Sequence, residues 1–278
     1  MSDLEKNQET PIKKNDIPCP FWLETIPVVI LTIADILVCK YWIDDPNTQW
    51  KYPTISYCYA ALCFGWWLML TLYRSICFGI GGYYDLYWFC NIALVLTTVG
   101  VLWRVPSLIG QSMCLLFVPH AAFWIDFLTY PCFKRPALNA YPFMFDNTTT
   151  PFEKVTSYHH FWFFPGLIVV LWKQPLLSIW SYVLSVLLFV ILNIVSHYMT
   201  PVTWYYPDGS ERYLNVCMSH DNPGFADSIP PFCWTVGKPF FYHCFTLTMA
   251  YVVPVNLISY FIIIGFQKLV LVVFSYVC

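Results

Sequence analysis

Cys90, His159, His160 and His197 are reactive or ionisable side chains in a chain that is 58% hydrophobic and only 11% charged, with a mean hydropathy of +0.57. Such groups are costly in lipid and tend to face a bundle interior, where they mark function more often than packing. A thiol is a weak nucleophile until a base takes its proton, and imidazole is the natural base near neutral pH. Cys90 and a histidine on a neighbouring span therefore suggest a buried nucleophile and its base. Adjacent residues on a helix point about 100° apart, so only one of His159 and His160 is expected to face a given partner. Asn193 and His197 are four residues apart and share a helix face; with Asn91 they are the expected donors to a developing oxyanion. His243 carries the same ambiguity between chemistry and an interhelical hydrogen bond. Asp35 and Asp126 are the acids expected within spans, either of them able to hold a histidine tautomer.

These residues must be held by apolar segments. A helix needs about 20 apolar residues to cross the hydrocarbon core. Segments of that kind cover roughly 21–42, 55–79, 84–103, 106–129, 155–172, 176–199 and 240–266. The expected fold is all-α, a polytopic transmembrane bundle of about seven spans. Residues 1–17 read as a disordered polar tail and 18–278 as a single membrane domain. Two longer connections remain, 130–154 and 200–239, the second containing a turn at Tyr206-Pro207-Asp208-Gly209. Gly79, Gly81 and Gly82 read as a flexible hinge between spans, since they lack the context of a phosphate loop.

Composition narrows the classes. The net charge is −2 and there is no basic stripe, which argues against nucleic acid as a partner. Of the 12 cysteines most lie in apolar stretches, so their number does not reveal a redox compartment. The tail lacks the apolar core of a signal peptide. Lys6, Lys13, Lys14, Lys134, Arg135, Lys154, Arg212 and Lys238 would share one side, against Lys40, Lys51, Arg104, Lys173 and Lys268 on the other. This balance favours a cytoplasmic N-terminus. The sequon Asn147-Thr148-Thr149 would then stay unused. Six histidines without a His-x-x-x-His pair do not suit a di-iron lipid enzyme. A zinc-dependent lipid hydrolase remains open, because three histidines and an acid suffice. A transporter, receptor or lipid scaffold also fits the apolar spans, since fold does not fix function.

In order, the motifs resemble the transmembrane cysteine acyltransferases related to bacterial YwaF-type integral membrane proteins. Trp88-Phe89-Cys90-Asn91-Ile92 is similar to the nucleophile segment of that family. Pro151-Phe152-Glu153, Tyr158-His159-His160, Pro165 and Leu171-Trp172-Lys173 are similar to its histidine helix, and by distance to Trp172-Lys173 the family histidine corresponds to His160. His197-Tyr198, the segment Leu214-Asn215-Val216-Cys217 and the turn Asp221-Asn222-Pro223-Gly224-Phe225 follow in the family order. The family's Asn-Pro-Cys-His reads Trp-Phe-Cys-Asn here. The androgen-induced and ADTRP-type membrane hydrolases look similar in plan, with threonine for cysteine. The resemblance covers roughly residues 83–250. It implies that Cys90 takes an acyl chain from a glycerophospholipid with help from His160. The acceptor would be water or a lysophospholipid, notably an ether-linked one. Asn215, Cys217 and Asp221 would belong to a loop over the headgroup. No cofactor and no metal are expected. The partners are membrane phospholipid and the bilayer, and the expected location is the endoplasmic reticulum membrane.

Overall fold

The computed structural model describes residues 21–147, 149–206, 211–221, 230 and 232–275. The polar tail 1–17, the turn at 207–209 and residues 222–225 of the second turn lie outside the described residues.

Among the described residues the chain is all-α apart from one short hairpin. The helices are α1 (Phe21–Val38), α2 (Pro53–Tyr83), α3 (Phe89–Trp103), α4 (Pro106–Phe133), α5 (Pro151–Thr156), α6 (His159–Val170), α7 (Trp180–Met199), α8 (Phe240–Leu247) and α9 (Val253–Ser275). Single wide turns at Cys39–Ile43 and Thr248–Val252 extend α1 and join α8 to α9. Strands β1 (Thr203–Tyr205) and β2 (Glu211–Tyr213) pair antiparallel, Trp204 opposite Arg212.

Among the described residues five helical stretches are long and apolar enough to cross a membrane: Thr25–Ile43, Pro53–Tyr87, Pro106–Phe133, Trp180–Met199 and Phe240–Val272. The other two expected spans are shorter. Helix α3 has 15 residues and α6 has 12, or about 22 and 18 Å at 1.5 Å per residue. Neither covers a hydrocarbon core of about 30 Å by itself.

The cause is local. At Gly79 the backbone adopts φ +56°, and the chain turns back beside the end of α2. A Cβ on Gly82 would lie 2.3 Å from the Arg74 carbonyl oxygen, so only glycine permits this return. Of the glycines expected as a loose hinge, Gly79 makes the turn and Gly81 and Gly82 are tightly packed. A Tyr84–Tyr87 turn then delivers the chain to α3, which starts part-way down the bundle. A break at Ser157–Tyr158 likewise separates α5 from α6.

The exterior is apolar and the interior is where the polar residues sit. Ile26, Ile30, Ile33 and Leu37 of α1 and Leu62, Phe64, Leu68, Leu72 and Ile76 of α2 are exposed. Ser107, Gln111, Ser112, His120 and Asp126 of α4 are buried. That inversion is expected when lipid is the solvent. Helix α4 is the central post, packing on α3, α6, α7 and α9. Asp44 anchors its start by accepting from the Ser107 amide (3.0 Å) and hydroxyl (2.7 Å). This is the build of a multi-pass integral membrane protein.

Candidate functional site

Three elements converge part-way down α4. Cys90 lies in the first turn of α3, and His159 and His160 open α6. Counting from the tight turn at Arg104–Val105, Cys90 and the α4 residue His120 are each about 20 Å along their helices, so they arrive at one depth. One ligand atom from each of Cys90, His159 and His160 lies within 4.8 Å of the others. His159 and His160 are 3% and 4% exposed, and their ring centroids are 4.2 Å apart. Both histidines therefore face the cysteine, contrary to the expectation that helix geometry admits one. The physical reason is position: they sit at a helix terminus after a chain break, where two rings can fold toward the same side.

His159 is the better oriented of the two. Its Nδ1 is 2.9 Å from the Thr156 carbonyl oxygen, which also accepts from the Trp66 indole at 3.1 Å. An acceptor at Nδ1 requires the proton there, so Nε2 carries the lone pair. That Nε2 is buried and has no hydrogen-bond partner among the described residues. Helix α6 is set by α2: Tyr59 donates to the Phe163 carbonyl at 2.6 Å, and Gly166 leaves the room its ring needs. A Cβ there would be 1.9 Å from the Tyr59 ring.

Two residues that the sequence reading did not single out complete the pocket. His120, 2% exposed, has its ring centroid 4.4 Å from that of His160, and neither of its nitrogens has a partner among the described residues. Tyr141 packs its ring 5.1 Å from His160 and lies within electrostatic reach of Cys90. Burial raises its phenol well above the ordinary value of 10, so it remains a protonated donor. Phe123, Phe163 and Phe164 wall the histidines. His120 carried a weak signal, a lone histidine within an apolar span. Tyr141 carried none, since it comes from the 130–154 connection.

The other expected site residues hold the frame. Asn91 accepts from the Cys90 thiol at 3.8 Å, but its amide donates to the Asp85 carbonyl at 2.7 Å. The Asn193 amide donates to the carbonyls of Cys217 (2.9 Å) and Met218 (3.1 Å). Asn193 thus spends both of its amide N–H groups on the loop, and Asn91 spends one of its two on the turn before α3. His197 Nδ1 meets the Ser219 carbonyl at 2.8 Å, and its ring stacks on Phe240. With His220, His243 and Lys238 it lines a separate cavity of about 180 Å³.

Asn215 closes its loop by accepting from the amides of His220 and Asp221. The buried Cys217 thiol donates to the Tyr87 carbonyl, and Asp221 accepts from the Tyr213 hydroxyl. Asn215 and Asp221 build the loop, and Cys217 ties it to the turn before α3. Asp126 is consumed by the amides of Leu138, Asn139 and Ala140. Asp35 accepts from Cys39. Neither acid orients a histidine.

Over the pocket, Asp85 binds Arg74 at 3.2 Å and Arg212 at 2.9 Å, and Arg74 also reaches Glu153 at 3.3 Å. This hub ties α2, the approach to α3, the hairpin and α5 together. Below the pocket an apolar cavity of about 140 Å³ runs between α4, α6 and α9, lined by Met113, Phe117, Phe164, Ile168 and Ile263 among others. Phe164 belongs to both this cavity and the His120 wall.

The chain matches no protein-family model, no curated protein and no solved structure. Its class therefore rests on its own architecture, a multi-pass membrane bundle enclosing a thiol and three imidazoles.

Proposed function

We propose that this chain is a membrane-embedded lipid acyltransferase or acyl hydrolase acting on glycerophospholipids, with Cys90 as nucleophile. The observation that carries the reading is Cys90 in a buried cluster with two imidazoles, one of which presents a bare, oriented Nε2. His159 Nε2 takes the thiol proton and the sulfur attacks an ester carbonyl. His160, which the family resemblance makes the base, stands alongside as a second base. Tyr141 donates to the oxyanion in place of Asn91, Asn193 and His197. As the tetrahedral intermediate collapses, the leaving alcohol takes the proton from His159 and an acyl thioester remains. A lysophospholipid, ether-linked in the family sense, or water then gives its proton to the same nitrogen and attacks the thioester; the carbon–sulfur bond breaks and the Cys90 sulfur takes the proton back from His159. The lining of the cavity between α4, α6 and α9 suits an acyl chain in its apolarity. Counting α3 and α6 as spans gives seven crossings with alternating directions. The proposed location is the endoplasmic reticulum membrane.

The test is a lipid profile of cells expressing wild type, Cys90→Ala, His159→Ala and His160→Ala at matched abundance. A phospholipid or lysophospholipid shift that is lost with Cys90 and with at least one histidine is the expected result. Identical profiles in all four would overturn it and favour a transporter or scaffold.

A further inference from the structure

A thiol–imidazole dyad uses one base, yet this pocket holds two buried imidazoles beside one sulfur and a third, His120, packed against them. Four of their ring nitrogens lack any partner among the described residues: both of His120, Nε2 of His159 and Nδ1 of His160. An unpartnered polar atom in an apolar interior is costly, so this accumulation calls for something that accepts several lone pairs at once. The donors are thiolate and imidazole, the set that selects zinc over calcium or magnesium. His159 also has the support typical of a metal-ligating histidine, its far nitrogen bonded to a backbone carbonyl. Tetrahedral zinc with bonds of about 2.0–2.3 Å places ligand atoms roughly 3.5 Å apart. The ligand atoms of Cys90, His159 and His160 already lie within 4.8 Å of one another, so ligation asks them to close by about 1 Å.

We propose that Cys90, His159 and His160 form a zinc-binding site, with His120 as the fourth donor, and that zinc there silences the nucleophile. On binding, Zn²⁺ displaces the Cys90 thiol proton to solvent and accepts one electron pair from the sulfur and one from each imidazole. No electron is transferred and each imidazole keeps its single N–H. Only the silencing rests on the acyl-transfer reading; the binding stands without it.

The experiment uses the full chain in lipid nanodiscs, stripped with a chelator and titrated with Co²⁺, which reports thiolate ligation by a charge-transfer absorption. One equivalent of Co²⁺, displaced by one of Zn²⁺, is expected in wild type. Cys90→Ser should abolish the band, and His159→Gln should weaken binding about tenfold or more. His197→Gln, in the other histidine group, should leave the titration unchanged. An unchanged thermal melting profile certifies that each variant is folded. A folded wild type without the band, or a band that survives Cys90→Ser or disappears with His197→Gln, overturns the site. In the activity arm, Zn²⁺ suppresses lipid turnover and the chelator restores it. A cobalt band with no turnover in the stripped protein sinks the acyl-transfer reading alone. Turnover that ignores bound zinc sinks the silencing.

Discussion

His159 and His160 are chemically identical neighbours that differ in one bond. The Thr156 carbonyl fixes the His159 tautomer and turns its basic nitrogen inward, whereas His160 is gripped by aromatic rings. Removing His159 is therefore expected to cost about 10²–10⁴-fold in acyl transfer, measured as initial rate on a fluorescent phospholipid. His160→Ala should cost less. An equal or larger loss for His160→Ala would return the base to that residue. Tyr141→Phe removes one hydroxyl at constant ring shape. It should lower kcat about 10²-fold while leaving KM nearly unchanged, because an oxyanion donor acts only once charge develops.

At the scale of elements, the site depends on two short helices whose starts are fixed by packing elsewhere. Gly166 lets Tyr59 lie against α6 and reach the Phe163 carbonyl. Gly166→Val forces the helices apart, with an expected destabilisation of about 3 kcal/mol and loss of turnover from displaced histidines. Both are read by thermal melting and by rate in detergent micelles. The Arg74 hub does the same for α5 and the approach to α3. Its side chain is 12% exposed, and Arg74→Leu strips Glu153 of its partner and leaves Asp85 with Arg212 alone. A cost of about 3 kcal/mol is expected, as for other pairs broken from one side.

At the scale of the whole molecule, His220 is expected to make stability depend on pH. Burial and the neighbouring His197 lower the His220 pKa below its ordinary 6.5. The folded state then binds the proton more weakly than the unfolded chain does, so the His220 contribution is intact above about pH 6.5 and is lost as pH falls toward the folded pKa. His220→Asn should flatten that dependence of the melting temperature between neutral and acidic pH, and an unchanged slope would exclude His220 as its source. Asn147 is exposed in the 130–154 connection. With a cytoplasmic N-terminus the sequon stays unmodified, so glycosidase treatment should not shift the band on a gel. A shift would invert the orientation.

Hydropathy alone determined that this chain is an all-helical membrane protein, because lipid forces every backbone polar group into helices and every span into an apolar run. Residue type alone singled out Cys90, His159 and His160, since ionisable groups stand out against such a background. The count of long spans was not legible in the same way. Windows over 84–103 and 155–172 are apolar throughout, yet the Gly79 turn and the Ser157–Tyr158 break start α3 and α6 inside the bundle. Only the tertiary structure decided which polar groups meet. Asn91, Asn193 and Asn215 carry the right chemistry for a site, but backbone groups of the loops claim their hydrogen bonds first, and the Tyr213 hydroxyl takes the Asp221 carboxylate. His120 and Tyr141 enter the site from distant segments, because proximity across a bundle is set by the depth and packing of helices that one-dimensional spacing does not encode.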